Sequence, residues 1–182
     1  MKLIVLDRDG VINQDSEDSI KTPDEWQPIA GSLEAISRLN HSGYTVAIAT
    51  NQPGLAKGHF DVEVLMNMHK KMDDMLARLG GRIDAVFYCP HEASDGCACR
   101  KPKPGMLLDI GQRFNVSLKD VTFIGDSISD INTAKHAHAK AMLVRTGKGV
   151  KAEKILQADS STGKSSVPVY DDLASAVTAI IQ

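Results

Sequence analysis

Asp7-Arg8-Asp9-Gly10 sets two carboxylates two residues apart, directly after the apolar run Lys2 to Leu6. Open α/β sheets bind their ligands at the C-terminal ends of such strands. A single DxD turn is common, since aspartate and glycine are ordinary turn residues. Three further strand ends add to it. One stops at Thr50-Asn51-Gln52, the segment after the next carries Arg100-Lys101-Pro102, and a fourth runs into Gly125-Asp126-Ser127-Ile128-Ser129-Asp130. Acid, hydroxyl, base and acid then converge on one rim. A second constellation lies within eleven positions, where Cys89-Pro90-His91, five residues and Cys97-Ala98-Cys99 make a CxHx₅CxC pattern. Three thiols and an imidazole close a tetrahedral Zn²⁺ site with no open position, so the metal there is structural. It would stiffen the loop presenting Arg100 and Lys101.

The elements that must hold these groups follow from periodicity. Continuous apolar runs predict buried strands at Lys2–Leu6, Tyr44–Thr50, Ile83–Tyr88, Val121–Ile124 and Ala141–Arg145, with a weaker edge strand at Val167–Tyr170. Between them, Ser32 is a candidate cap for a helix through Asn40. Asp61 is one for a longer helix with Val62, Leu65, His69, Met72, Leu76 and Leu79 at helical spacing. The methionines at 66, 68, 72 and 75 read as core filling. Further helical patterns cover Met106–Phe114, Asp130–His138, Lys151–Ala158 and Asp172–Ile181, in which His136 and His138 are ordinary helix residues. Strands alternating with helices predict an α/β fold: a three-layer, Rossmann-like, mostly parallel sheet. The polar stretch Asp159–Ser166 reads as a surface loop. Its GKS triplet lacks the upstream glycine and preceding strand of a phosphate-binding loop.

Composition narrows the function. At 182 residues, with 42% hydrophobic and 24% charged, the chain is expected to be one globular domain, residues 1–182. The formal charge of −2 and 4% aromatics argue against a nucleic-acid partner. No apolar stretch reaches the roughly 20 residues that span a bilayer. The N-terminus does not read as a signal peptide either, so a cytoplasmic protein with no membrane partner is expected. Clustered cysteines in such a chain favour metal over disulfide.

LDRDG, ATNQPG, CRKPKPG and IGDSISD, in that order, resemble the four motifs of the haloacid dehalogenase superfamily of phosphotransferases. The resemblance implies that Asp7 is the nucleophile and forms an aspartyl phosphate. Asp9 is then the general acid and base, Thr50 binds a phosphoryl oxygen, and Lys101 neutralises the transferring group. It further implies Mg²⁺ held by Asp7, Asp126 and the Asp9 backbone carbonyl, with Asp130 supporting the site from behind. Lys103 is the rival lysine, but RKP aligns with the motif at Lys101. The gaps between motifs are filled by elements the sheet already needs, so no cap domain is expected. Substrate selection would fall to the loops Asn13–Trp26, Gln52–His59 and Cys89–Lys103.

DRDGVIN, TNQPGLAKG, CPH, CxCRKPKPGM and GDSISD together are similar to the family of heptose 1,7-bisphosphate 7-phosphatases of lipopolysaccharide precursor synthesis. That likeness implies substrate contacts from Asp15, Thr50, Asn51, Gln52, Pro53, Arg100 and Lys101, and a small phosphorylated sugar as the partner of a monomer. Lys57 is a further candidate for a second phosphate. Many members of that family carry serine where this chain has Pro53 and lysine where it has Ser127. Histidinol-phosphate phosphatase is the alternative enzyme, favoured by the acidic Asp15, Glu17 and Asp18. A catalytically silent, zinc-stabilised binding module is the alternative from another class.

Overall fold

The computed structural model describes residues 1–160 and 166–182, and the GKS triplet of the predicted Asp159–Ser166 loop lies outside them. Six strands form one sheet: β1 (Lys2–Leu6), β2 (Tyr44–Asn51), β3 (Ala85–Cys89), β4 (Thr122–Gly125), β5 (Lys140–Val144) and β6 (Val169–Tyr170). Their order is β3-β2-β1-β4-β5-β6 and every pairing is parallel. The chain winds outward one way from β1 to β3 and the other way from β4 to β6. The reversal therefore falls between β1 and β4, the topological switch point where such sheets bind ligands. Leu6 pairs with Ile124 there, and the Asp7 amide donates to the Ile124 carbonyl at 2.9 Å.

Helices cover both faces, as parallel strands require. They are α1 (Ser32–His41), α2 (Val62–Arg78), α3 (Gly105–Phe114), α4 (Ile128–His136), α5 (Gly149–Ala158) and α6 (Leu173–Ile181). One apolar layer joins Ile4, Leu6, Val46 and Ile48 to Ile36 and Leu39 of α1, Leu65 and Met72 of α2, and Val177 of α6. The opposite layer joins Leu3, Val5, Ala47 and Phe123 to Leu107 and Ile110 of α3 and Ala134 of α4. Leu143 meets Ala152 and Leu156 of α5 in a third cluster.

Several predicted boundaries move for identifiable reasons. Ser32 is not the cap of α1. Gly31 takes that position at φ +82°, and the Ser32 hydroxyl instead donates to the Ile12 carbonyl at 2.6 Å, tying α1 to the segment after β1. β3 starts at Ala85 rather than Ile83 because the Asp84 carboxylate accepts from the Val46 amide. α4 starts at Ile128, two residues before the expected Asp130, because Ser127 and Asp130 form a capping box. Asp61 and Asp172 cap α2 and α6 through their side chains. On α2 the buried face is Leu65, Met68, His69, Met72 and Leu76, while Val62, Leu79 and Met66 are exposed. Of the four methionines read as core, Met68 and Met72 are fully buried.

Candidate active site

The site floor is built at the switch point. Asp7 follows β1, and its Oδ1 accepts from the Arg8 amide at 2.7 Å. Lys101 enters from the segment after β3 and is buried, with Nζ 2.9 Å from Asp7 Oδ1 and 2.7 Å from Asp130 Oδ1. The same ammonium donates to the Ala49 carbonyl at 3.1 Å. Its backbone is fixed as well, because the Asn51 side chain donates to the Lys101 carbonyl and accepts from the Lys101 amide. Burial alone would make Lys101 easier to deprotonate, but Asp130 and Asp7 outweigh it and hold its pKa above the ordinary value. Lys103 is elsewhere: its Nζ donates to the Cys97 carbonyl on the exposed side of that loop.

Asp126 follows β4 and is buried beside Asp7. Its Oδ2 accepts from the Lys148 amide at 2.8 Å. Gly10, at φ +84°, and Gly147, at φ +56°, both press against this carboxylate, and a Cβ on either would overlap it. Asp130 is occupied by the protein. Its Oδ2 accepts from the amides of Asp126 and Ser127 and from the Ser127 hydroxyl, while Oδ1 pairs with Lys101. It thus positions both the acid and the base of the floor.

Asp9 is anchored from three sides. Its Oδ1 accepts from Arg8 Nε at 3.1 Å, from Arg8 Nη2 at 2.9 Å and from Asn13 Nδ2 at 2.8 Å. Its Oδ2 accepts from Gln52 Nε2 at 2.9 Å, and that amide also donates to Thr50 Oγ1 at 3.0 Å. Burial would raise the Asp9 pKa, but the Arg8 guanidinium and these hydrogen bonds win and hold it below the usual carboxylate value. Asp7 and Asp126 behave oppositely. Burial first, then the charge of Asp130, pushes Asp7 well up and Asp126 to about 7. Removing carboxylates from water disfavours their charged forms, and one lysine does not balance three of them.

Carboxylate oxygens of Asp7, Asp126 and Asp130 lie within 4.8 Å of one another. With Asp130 engaged by Lys101 and the α4 cap, Asp7 and Asp126 offer hard oxygens at a site short of positive charge, which fits a divalent cation such as Mg²⁺. The Cys89, Cys97 and Cys99 sulfurs and His91 Nδ1 also converge within 4.8 Å, and all three cysteines are free. That donor set fits structural zinc. Arg100 of the same loop donates to the His91 carbonyl at 3.0 Å.

A cavity of about 490 Å³ opens above Asp7, Asp9, Lys101 and Asp126. Asp15, Thr50, Asn51, Gln52, Pro53 and Arg100 all line it, as does Lys57. Two of them also have partners within the protein: the Asn51 side chain clamps Lys101, and the Gln52 side chain bridges Asp9 and Thr50. Sequence reasoning passed over Arg8, Asn13 and Lys148, whose Nζ lies 3.4 Å from Asp15. A signal for Lys148 was present, since Arg145-Thr146-Gly147-Lys148-Gly149 follows an apolar run as the other site segments do.

The HAD-hydrolase-like family model matches residues 98–176. A D-glycero-beta-D-manno-heptose-1,7-bisphosphate 7-phosphatase of Pseudomonas aeruginosa is 48% identical over 183 residues, covering 99% of this chain and 98% of that protein. The Bordetella bronchiseptica protein of the same name is 48% identical over 182 residues, covering 100% and 99%. The crystal structure of the B. bronchiseptica D,D-heptose 1,7-bisphosphate phosphatase, complexed with magnesium and phosphate, superposes with a TM-score of 0.93, covering 100% of this chain and 99% of that one.

Proposed function

The chain belongs to the heptose 1,7-bisphosphate 7-phosphatase family of haloacid dehalogenase-like hydrolases, and from that premise we propose how its own residues remove the 7-phosphate of D-glycero-D-manno-heptose 1,7-bisphosphate. The reading is carried by one observation: two carboxylates, a buried lysine and a third carboxylate meet at the sheet's switch point under an open cavity. Asp7 attacks the phosphorus in line, the bond from phosphorus to the sugar oxygen breaks, and an aspartyl phosphate forms. Asp9, ionised in the free site, has to take up a proton as the substrate binds, and it gives that proton to the leaving sugar oxygen. It then takes one from the water that attacks the aspartyl phosphate, releasing inorganic phosphate and restoring Asp7. Lys101 and the Thr50 hydroxyl neutralise and orient the phosphoryl oxygens. Asp7, Asp126 and the Asp9 carbonyl would hold Mg²⁺, which when bound supplies the positive charge that keeps the two carboxylates ionised and polarises the phosphoryl group.

The outer cavity wall favours a bisphosphate. Lys57, Arg100, Lys148 and Lys151 line it against Asp15, which is paired with Lys148, and Glu17, so cations outnumber acids above the floor. A second phosphate suits such a wall better than the ammonium of histidinol phosphate. Arg100, held to the His91 carbonyl, is the residue assigned to substrate selection, and Asp15 and Pro53 line the same cavity. The catalytic groups come from one chain, which supports a monomer, and sedimentation would test it. Zinc-binding thiols suit a reducing compartment such as the cytoplasm. Among the described residues no helix is long and apolar enough to cross a membrane.

The test is phosphate release with Mg²⁺ from heptose 1,7-bisphosphate, fructose 1,6-bisphosphate and histidinol phosphate. A kcat/KM at least about tenfold higher for the heptose bisphosphate is expected. A preference for histidinol phosphate would overturn the substrate reading, and no release from any would favour a silent binding module.

A further inference from the structure

Arg8 is fully buried, although it carries a charge that water would solvate far better. Two donors of its guanidinium reach Asp9 Oδ1, and the guanidinium's remaining described hydrogen-bond contacts come from the middle of α2. Nη1 lies 3.2 Å from His69 Nε2 and 3.9 Å from Met68 Sδ. His69 is itself buried, on a helix face otherwise made of Leu65, Met68, Met72 and Leu76. A guanidinium cannot accept, so the 3.2 Å contact is a hydrogen bond only if Nε2 carries the lone pair and the imidazole is neutral. Burial, reinforced by the Arg8 charge, keeps it so by lowering its pKa to about 4.

We infer that His69 is a positioning residue for proton transfer: it fixes Arg8 from α2, and Arg8 in turn fixes the Asp9 carboxylate that protonates the leaving group. The inference rests on the reading of Asp9 as general acid. Arg8 donates through Nε and Nη2 to one oxygen of Asp9 only, so the rotation of the guanidinium plane decides where the other oxygen faces. Asn13 and Gln52 hold the carboxylate as well, and the Asn13 amide donates to the Arg8 carbonyl at 3.2 Å, but among the described hydrogen bonds neither residue reaches the Arg8 guanidinium. With leucine at position 69 the Nη1 end would lose its only nitrogen or oxygen acceptor among the described contacts. A buried guanidinium so deprived turns toward another partner and carries Asp9 Oδ1 with it.

The experiment compares kcat/KM, which reports steps up to formation of the aspartyl phosphate, on two substrates. One is a sugar phosphate that the wild-type enzyme turns over, whose alkoxide needs a proton to leave. The other is p-nitrophenyl phosphate, whose aryloxide leaves without one. General acid catalysis contributes about 10²–10⁴-fold, and a misoriented acid forfeits part of it. For His69→Leu we expect a loss of about tenfold or more on the sugar phosphate and less than about twofold on the aryl phosphate. His69→Gln, whose amide oxygen can accept from Nη1, should restore the sugar phosphate rate to within about threefold of wild type. The ratio of the two substrates does not depend on how much of a preparation is folded. Equal losses on both substrates, or no loss on either, would overturn the inference. Asp9→Asn separates it from its premise. If that variant shows the selective loss and His69→Leu does not, His69 has no such role. If Asp9→Asn itself lacks the selective loss, the general-acid assignment falls and this inference with it.

Discussion

Asp7, Lys101, Asp126 and Asp130 arrive from segments spread over most of the chain, whereas Cys89, His91, Cys97 and Cys99 arrive within eleven positions. The first group is held by strand pairing, by the Asn51 clamp on the Lys101 backbone and by the α4 capping box. In the second, the Cys89 and Cys99 sulfurs and the imidazole find hydrogen-bond partners mainly in one another. Its loop contains regular structure only in the short 3₁₀ turn Ala93–Asp95. The carboxylate floor is therefore shaped by the fold itself. The thiol loop would be shaped by a bound ion, because little else fixes those sulfurs.

If that contrast is right, disabling each region has a different signature. Asp7→Asn is expected to have the largest effect on turnover, a loss of at least about 10⁴-fold, with zinc content unchanged. Residual steady turnover above that level would remove Asp7 as nucleophile. Lys101→Met should cost about 10³-fold in kcat. It should also lower the thermal midpoint, since Asp7 and Asp130 are left facing each other with their buried partner gone. An unchanged midpoint would mean that the floor does not need the ion pair.

Cys99→Ser sharpens the comparison from the other side. It should weaken zinc retention, measured by metal analysis, and lower the thermal midpoint. Turnover should fall only about 10–100-fold, because Arg100 and Lys101 are loosened rather than removed. A loss as complete as that of Asp7→Asn in a folded protein would show that the two regions are not separable. Lys103→Ala, beside the loop but outside the floor, should change kcat/KM less than about twofold.

A milder test uses pH. Asp126 titrates near 7 without a cation, so the folded state keeps a proton there that the unfolded chain has already lost. This raised pKa stabilises the ion-free fold at low pH, and the contribution fades as pH rises through about 7. Protons and Mg²⁺ compete for the same oxygens. The gain in thermal midpoint on adding Mg²⁺ should therefore grow from pH 6 to pH 8. The His69 proton is absent across that range with or without Mg²⁺, so it drops out of the difference. A gain that does not vary with pH would mean that Asp126 is not a ligand.

Much of this was legible in the sequence because strand ends announce themselves. An apolar run that stops at a charged or hydroxylic residue marks a sheet's C-terminal edge; the segments carrying Asp7, Thr50 and Asp126 follow that pattern, and Lys101 lies on the loop that follows another such run. The thiol loop was legible because its ligands are near neighbours in the chain. What stayed hidden were partners contributed across the fold. That Asn51 serves Lys101, or that Gln52 joins Asp9 to Thr50, depends on the β2–β3 pairing and the path of the loop after it. Arg8, between two aspartates, was given no role because its partners on α2 are about sixty residues away in the chain. Ser32 was misread because its hydroxyl had a tertiary acceptor, Ile12, that outcompeted the local amide of a helix cap.

The pairing of Leu6 with Ile124 has a consequence for folding fidelity. Side chains alternate between the two faces of a strand, so a slip of β4 by one residue against β1 would exchange the helical layers that Phe123 and Ile124 enter and carry Asp126 away from Asp7. A chain folded with that slip would keep a sheet and its helical layers yet have no cation site. Mg²⁺-dependent turnover, measured per folded molecule, thus doubles as a proofreading assay for the innermost strand pair of this protein.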